Sequence, residues 1–164
     1  MNNEAILLAD TFQKVRDLTR WYFSLLKNAD PYMQWETNGQ KLNSAAWLAA
    51  HLVWAEDFLI VKATGGKGFD LPWLDNYKLG SAGNLHEDKP DMKYLLDLLK
   101  QGHENAHAHL LSLTDEKMGE ENAFGFGFGG VKTNRMMVQH CIRHEGMHAG
   151  HLSWLCKIKG VASV

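Results

Sequence analysis

The last long segment of the chain carries a stripe of side chains spaced alternately four and three residues apart. This spacing places all of them on one face of an α-helix, the face that packs against neighbouring helices in a bundle. The stripe consists of Met137, Cys141, His144, His148, His151, Leu155 and Ile158. Three consecutive positions are histidine, where leucine would pack better, so the segment is predicted to be a core helix with polar groups in its packed face.

Three earlier segments also have helical periodicity, and none reads as a strand. The four helices are predicted at about Asn3–Asn28, Asn43–Gly65, Pro90–Leu113 and Thr133–Lys159. In the first helix, the stripe expected to face the core is Leu8, Phe12, Val15, Leu18, Tyr22 and Leu25. We therefore predict an all-α fold, a four-helix bundle with long crossover connections, forming a single domain over residues 1–164.

Two predicted connections are long, from Gly65 to Lys89 and from Thr114 to Lys132, and the second contains the run FGFGFGG. Long loops in a compact domain are often functional. We expect the loop aromatics to cover the ends of the bundle, with a lid over a site, formed by residues such as Phe126 and Phe128, as the alternative.

Composition and charge exclude several classes of protein. The net charge of −2 and the 45% apolar content are ordinary for a globular domain and show no basic footprint for nucleic acid or anionic membranes. No apolar run approaches the roughly 20 residues of a membrane span, and the first residues resemble no targeting peptide. Cys141 and Cys156 would lie about 22 Å apart on one helix, too far to form a disulfide with each other. We expect a cytoplasmic protein with reduced cysteines that binds neither nucleic acid nor membranes.

The second helix repeats the pattern of polar groups in a packed face, because His51 lies between Trp47 and Trp54 on its inward stripe. Burying an imidazole without partners costs about 1–3 kcal/mol, and one divalent metal can engage three imidazoles at about 2.0–2.1 Å. His144 and His148 are four residues apart, so they can converge on one point that His51 reaches from across the bundle. We predict that these three residues bind a metal; the alternative is a set of core histidines bonded to one another or to water.

The segment His144–His148 also spells H-E-x-x-H, the pattern of zinc proteases. A protease of that type needs a third ligand, yet no Asp or Glu follows Glu145, and the extended motif is absent because its glycine position is occupied by His151. The pattern occurs a second time at His103–His107, which shows that a match to five residues can arise by chance. We predict that both histidines of this second match are partly exposed. The protease interpretation is rejected.

Other polar residues near the predicted site have less specific patterns. Glu145, at the edge of the stripe, is the best candidate for an auxiliary catalytic base; the alternative is a solvated or salt-bridged glutamate. Cys141 is expected to be a small apolar core residue rather than a fourth ligand. Glu56 and Asp57 lie off the face of His51, so we expect them to be surface charges or partners of other groups on the flank of the helix.

Two stretches, SAAWLAAHLVWAEDFL and RHEGMHAGHLSWL, resemble the DinB-like family of four-helix bundle metalloproteins. In that family, a histidine of the second helix and an H-x-x-x-H pair of the last helix bind a divalent metal. The matching positions here are His51, His144 and His148. Where the family often has glutamine, this chain has His151, which we expect to be a core residue or a support for a ligand rather than a ligand itself.

The resemblance also implies a function. Relatives include transferases and isomerases that use a low-molecular-weight thiol, such as mycothiol or bacillithiol, with zinc or nickel-like ions. It implies a divalent-metal-dependent enzyme, a transferase with a thiol nucleophile and a small-molecule substrate, and a homodimer. A hydrolase that activates water is an alternative, because three neutral imidazoles leave an open metal position that serves either reaction. The second alternative is a helical bundle that binds a metal without catalysing a reaction.

Overall fold

The computed structural model describes residues 3–81 and 90–161. Its four long helices are α1 (Asn3–Leu25), α2 (Ala45–Glu56), α3 (Met92–Ser112) and, after a short helix α4 (Asp115–Gly119), α5 (Asn134–Ile158). Helices α1 and α2 each pack against both α3 and α5, so the four form a bundle in which α2 and α5 are neighbours. The predicted four-helix bundle is confirmed. No helix in the described part of the chain is long and apolar enough to cross a membrane.

Side-chain caps fix where the two histidine-bearing helices begin. The Ser44 hydroxyl accepts a hydrogen bond from the Trp47 amide at 3.1 Å, and the Thr133 hydroxyl accepts one from the Met136 amide at 3.3 Å. Each bond satisfies a backbone N–H that has no partner within the helix. These caps set the starting points from which the positions of the histidines follow.

Helix α1 faces the core with a stripe that matches the predicted one only in part. Phe12 and Tyr22 are buried as predicted, whereas Leu18 is 42% exposed. The prediction missed Arg16 and Thr19 because it weighted large apolar residues, and it missed the two small alanines that are fully buried at the start of the helix. The fully buried positions at this spacing are Ala5, Ala9, Phe12, Arg16 and Thr19.

Helix α2 lies in the centre of the molecule, and every one of its residues except Trp54 is buried. It continues into a π-helical segment, Asp57–Lys62, in which the Ala63 amide bonds to the Phe58 carbonyl five residues earlier. Glu56 is 1% exposed and Asp57 is 6% exposed, so they are not surface charges; their ion pairs with Arg16 and Lys62 agree with the alternative of partners on the flank of the helix. A helix enclosed on all sides has no solvent face to offer them.

Short elements occupy the connections. A two-stranded hairpin pairs Glu36–Thr37 with Gln40–Lys41, which corrects the prediction that the chain has no strand. Its turn uses Asn38 and Gly39, both with positive φ, and two such residues are the mark of a tight hairpin turn. A 3-10 helix, Pro72–Tyr77, lies in the first long connection and packs against α2.

The apolar core consists of two clusters with a polar layer between them. One cluster contains residues such as Leu48 and Leu152, and the other contains Phe12 and Met137. The buried polar side chains of the layer come from all four long helices: Arg16, His51, Glu56, His103, Glu145 and His148. The candidate site belongs to this layer.

Candidate metal centre

Three histidines from α2 and α5 meet in the polar layer. The Nε2 atom of His144 lies 3.1 Å from Nε2 of His51 and 3.1 Å from Nε2 of His148. One ring nitrogen from each residue lies within 4.8 Å of the others, which makes the cluster able to hold a metal ion. His51 and His148 are buried, and His144 is partly exposed. The three predicted ligands therefore come together, with one side of the cluster reaching the surface.

The hydrogen bond at Nδ1 of His51 determines whether its other ring nitrogen, Nε2, carries a proton. Its Nδ1 lies 2.5 Å from the Tyr77 carbonyl oxygen, which can only accept a hydrogen bond. Nδ1 therefore carries the proton, and the Nε2 lone pair points at the other histidines. The carbonyl comes from the last residue of the 3-10 helix, an interaction that sequence spacing could not reveal.

His148 has a comparable support. Its Nδ1 lies 3.1 Å from Nδ1 of His151, so one of these nitrogens donates to the other. When Nδ1 of His148 is the donor, its Nε2 is free to bind a cation. His151 itself is exposed and lies outside the cluster, so of the expected roles the structure supports the one of assisting a ligand, and not that of a core residue.

The three rings cannot satisfy one another while they are neutral. Because Nε2 of His51 carries no proton and Nε2 of His144 can carry only one, at least one of the two 3.1 Å contacts lacks a well-directed hydrogen bond. Protonation is opposed as well: burial, followed by the neighbouring histidines, lowers the pKa of His144 to about 3 and that of His148 to about 2. A cation shared by three lone pairs would remove the conflict.

The spacing also fits a metal ion. Ligand distances of about 2.0–2.1 Å in tetrahedral geometry place neighbouring nitrogens about 3.3 Å apart. The two separations of 3.1 Å are close to that value. The donor set, three imidazoles without a thiolate or carboxylate, suits zinc, copper, iron and nickel alike.

The predicted base, Glu145, lies against an arginine. The Arg16 guanidinium donates to both Glu145 oxygens, at 2.6 and 2.9 Å, to Glu56 at 2.8 Å and to the Leu99 carbonyl at 2.9 Å. Both Arg16 and Glu145 are almost fully buried. These contacts favour the alternative of a salt-bridged glutamate, and catalysis by Glu145 stays a prediction without geometric support.

The structure tests the predictions for two further residues, His103 and Cys141. His103 was predicted to be partly exposed, but it is buried, with Nε2 donating to the Gln13 side chain at 2.8 Å and Nδ1 lying 3.4 Å from Glu56. The prediction was wrong because α3 packs against both α1 and α2, which enclose this position. Cys141 belongs to an apolar cluster, as expected, and burial raises the pKa of its thiol well above the ordinary value.

A four-helix bundle in which the second and last long helices bring three histidines together defines a class of helical proteins with a candidate metal centre. The family model described as the DinB superfamily matches residues 11–152, which include all three histidines. The chain belongs to the DinB superfamily, and the resemblance seen in its two helical motifs is confirmed. No individually curated protein matches the chain.

Proposed function

We propose that His51, His144 and His148 bind one divalent metal ion through their Nε2 atoms, and that the protein is an enzyme that transfers a low-molecular-weight thiol to a small electrophile. The observation that carries the proposal is the convergence of the three Nε2 atoms at contacts of 3.1 Å that neutral rings cannot all satisfy. Membership of the DinB superfamily supports it.

The protein's own groups orient and neutralise the ligands. The Tyr77 carbonyl holds the His51 proton on Nδ1, and Nδ1 of His151 can accept a hydrogen bond from Nδ1 of His148. Low pKa values keep His144 and His148 uncharged. Zinc or nickel bound to three neutral ligands would supply Lewis acidity, which lowers the pKa of a thiol or of water beside it.

The surroundings of the cluster favour a thiol over water as the nucleophile. Metal-dependent hydrolases of the H-E-x-x-H type use a glutamate beside the ion to take a proton from water. In the described residues, the carboxylates nearest in sequence to the ligands, Glu56 and Glu145, are held by Arg16 instead. A thiol, with an ordinary pKa of about 8.5, needs less assistance. Its sulfur would form a bond to the electrophilic carbon, the leaving group would depart with its electron pair, and the thiol proton would pass to solvent.

Metal content tests the site directly. After reconstitution with zinc or nickel and gel filtration, we expect about one ion per wild-type chain by elemental analysis and a sharp loss in His51→Ala, His144→Ala and His148→Ala. His107→Ala is the matched control, because this partly buried histidine lies on α3 outside the cluster. Equal metal loading of wild type and His148→Ala would refute the site.

Activity is tested with 1-chloro-2,4-dinitrobenzene and a series of small thiols, following formation of the thioether by absorbance. We expect the metal-loaded protein to accelerate the reaction above the uncatalysed rate, and His148→Ala to lose that acceleration. Turnover of ester substrates without any thiol would move the assignment to a hydrolase.

A further inference from the structure

A row of stacked aromatic rings runs along α2 and the π-helical segment that follows it, from the histidine cluster to the surface. The His51 ring lies 5.9 Å from the Trp54 ring, and the Trp54 ring lies 5.0 Å from that of Phe58 with an interplanar angle of 11°. His51 is buried, whereas Trp54 and Phe58 are partly exposed. The row therefore connects a proposed ligand to solvent.

The Phe-Gly loop, Phe124–Gly130, supplies a second row that returns to the cluster. The Phe126 ring lies 6.0 Å from Phe58 and 5.9 Å from Phe128, and Phe128 stacks on His140 at 3.4 Å. The His140 ring lies 5.9 Å from that of His144. Because the His144 and His51 rings are themselves 5.0 Å apart, the two rows close into a circuit of rings on the partly exposed side of the site. We call it the aromatic circuit.

The loop is built to hold its rings in these positions. A side chain at Gly127 would place its Cβ 1.7 Å from the Val131 carbonyl oxygen, so only glycine fits. The buried Asn122 side chain donates to the carbonyls of Phe126 and Lys132, both at 2.6 Å, which pins the two ends of the turn together. Phe126 nevertheless remains 38% exposed, so the loop presents part of this ring to solvent.

The polar groups beside the circuit are engaged at its edges. Arg143 bonds to Nδ1 of His140 at 2.6 Å, and Asp75 accepts from the indole N–H of Trp54 at 3.3 Å. Trp54 already stacks on His51 and Phe58, and Phe128 stacks on His140, whereas the neighbouring rings of Phe126 lie about 6 Å away and its ring is 38% exposed. Exposed aromatic surface of this kind binds flat π-systems by stacking, in offset or edge-to-face arrangements that a saturated molecule cannot reproduce.

We infer that the aromatic circuit binds the electrophilic substrate, and that this substrate is an uncharged, planar aromatic compound. The inference rests on the proposed function, because the circuit includes the rings of two proposed ligands, His51 and His144. It adds the substrate class, which the metal ligands do not specify.

The test compares two alcohols that share one carbon skeleton. 2-Naphthol is planar and aromatic, and decahydro-2-naphthol is saturated and puckered. By calorimetry with the metal-loaded protein, we expect 2-naphthol to bind about tenfold more tightly, the sum of a few stacking contacts. Phe126→Leu and Phe128→Leu, which keep apolar volume but remove the ring, should each weaken 2-naphthol binding several-fold without changing metal content. Phe69→Leu, at a partly buried ring outside the circuit, should bind as wild type does.

The location is checked by NMR, in which the amides of the loop glycines, such as Gly125 and Gly127, should shift on addition of 2-naphthol. Equal affinity for the two alcohols, or unchanged affinity in both phenylalanine variants, would overturn the inference. The two proposals fail separately: a protein that holds metal but shows no aromatic preference contradicts only this one. A protein that holds no metal yet binds 2-naphthol through the loop contradicts the proposed metal site and leaves the aromatic site standing.

Discussion

Arg16 is the residue whose removal should cost this fold most. It is fully buried, and its guanidinium joins α1 to Glu56 of α2, the Leu99 carbonyl of α3 and Glu145 of α5. Burial alone would lower the pKa of Arg16, but the two carboxylates outweigh it and raise the pKa above its ordinary value. Arg16→Met would keep most of the volume and leave two buried carboxylates without their cation.

Breaking a buried ion pair by removing one partner costs about 3–5 kcal/mol, because the remaining charge is neither solvated nor paired. Since whole domains are stable by only about 5–15 kcal/mol, Arg16→Met is expected to lower the free energy of unfolding by about a fifth or more. The measurement is urea unfolding followed by circular dichroism at pH 7, in the presence of a chelator so that metal binding does not add stability.

Arg20→Met is the matched control, since Arg20 lies one turn further along α1 and is exposed. It should unfold at nearly the wild-type urea concentration. In the triple variant Arg16→Met, Glu56→Gln, Glu145→Gln, the unpaired charges are gone, and part of the lost stability should return. A loss below about 1 kcal/mol in Arg16→Met, or a triple variant no more stable than the single one, would refute this account of the network.

Three further predictions concern the site. His151→Ala should bind metal with about 10–100-fold lower affinity by competition with a chromogenic chelator, because it removes a support of His148 but no ligand; unchanged affinity would show that the contact has no influence. In metal-free protein, His144 and His148 have lowered pKa values, so the unfolded chain binds more protons below its ordinary histidine pKa of about 6.5. The contribution of these two histidines to stability is therefore fully present above pH 6.5 and falls as the pH drops toward their pKa values in the folded protein. The melting temperature measured in chelator should decrease between pH 6.5 and pH 5. A melting temperature that does not change over this range would contradict the prediction. Chelator should lower the melting temperature of metal-loaded wild type, by loss of ligand binding to the native state, and leave that of His148→Ala unchanged; an equal decrease in both would mean that the stabilising ion binds elsewhere.

Local patterns were sufficient to predict α5 and its histidines. The spacing of four and three residues from Met137 to Ile158 is a property of one helix, and the structure begins and ends that helix within one residue of the prediction. The convergence of His144 with His148 follows from helix geometry alone. The position of His51 between two tryptophans correctly predicted that it is buried, but its meeting with the α5 histidines did not follow from one inward face of α2, because every residue of that helix except Trp54 is buried.

The partners of the buried charges were beyond a sequence-based prediction. Arg16 lies at core spacing between Phe12 and Thr19, so a reading of α1 that allowed small and polar residues in the packed stripe would have placed it inside. Even then, its pairing with Glu56 and Glu145 depends on how three helices rotate about their axes, which no single periodicity fixes. The contact between the Tyr77 carbonyl and His51 could not be predicted for a different reason. The carbonyl is a backbone group, and it belongs to a 3-10 helix that has no amphipathic pattern in the sequence.

The ion network of Arg16 constrains the candidate site through the helices that carry its ligands. Arg16 joins Glu56 of α2 to Glu145 of α5, and these two helices also carry the three histidines. Glu145 directly follows His144 in the chain, so a displacement of α5 that broke its contact with Arg16 would also move His144. Breaking a buried ion pair of this kind costs about 3–5 kcal/mol, so the network resists such a displacement. The ion network thus acts on the candidate site by fixing α2 and α5 relative to each other.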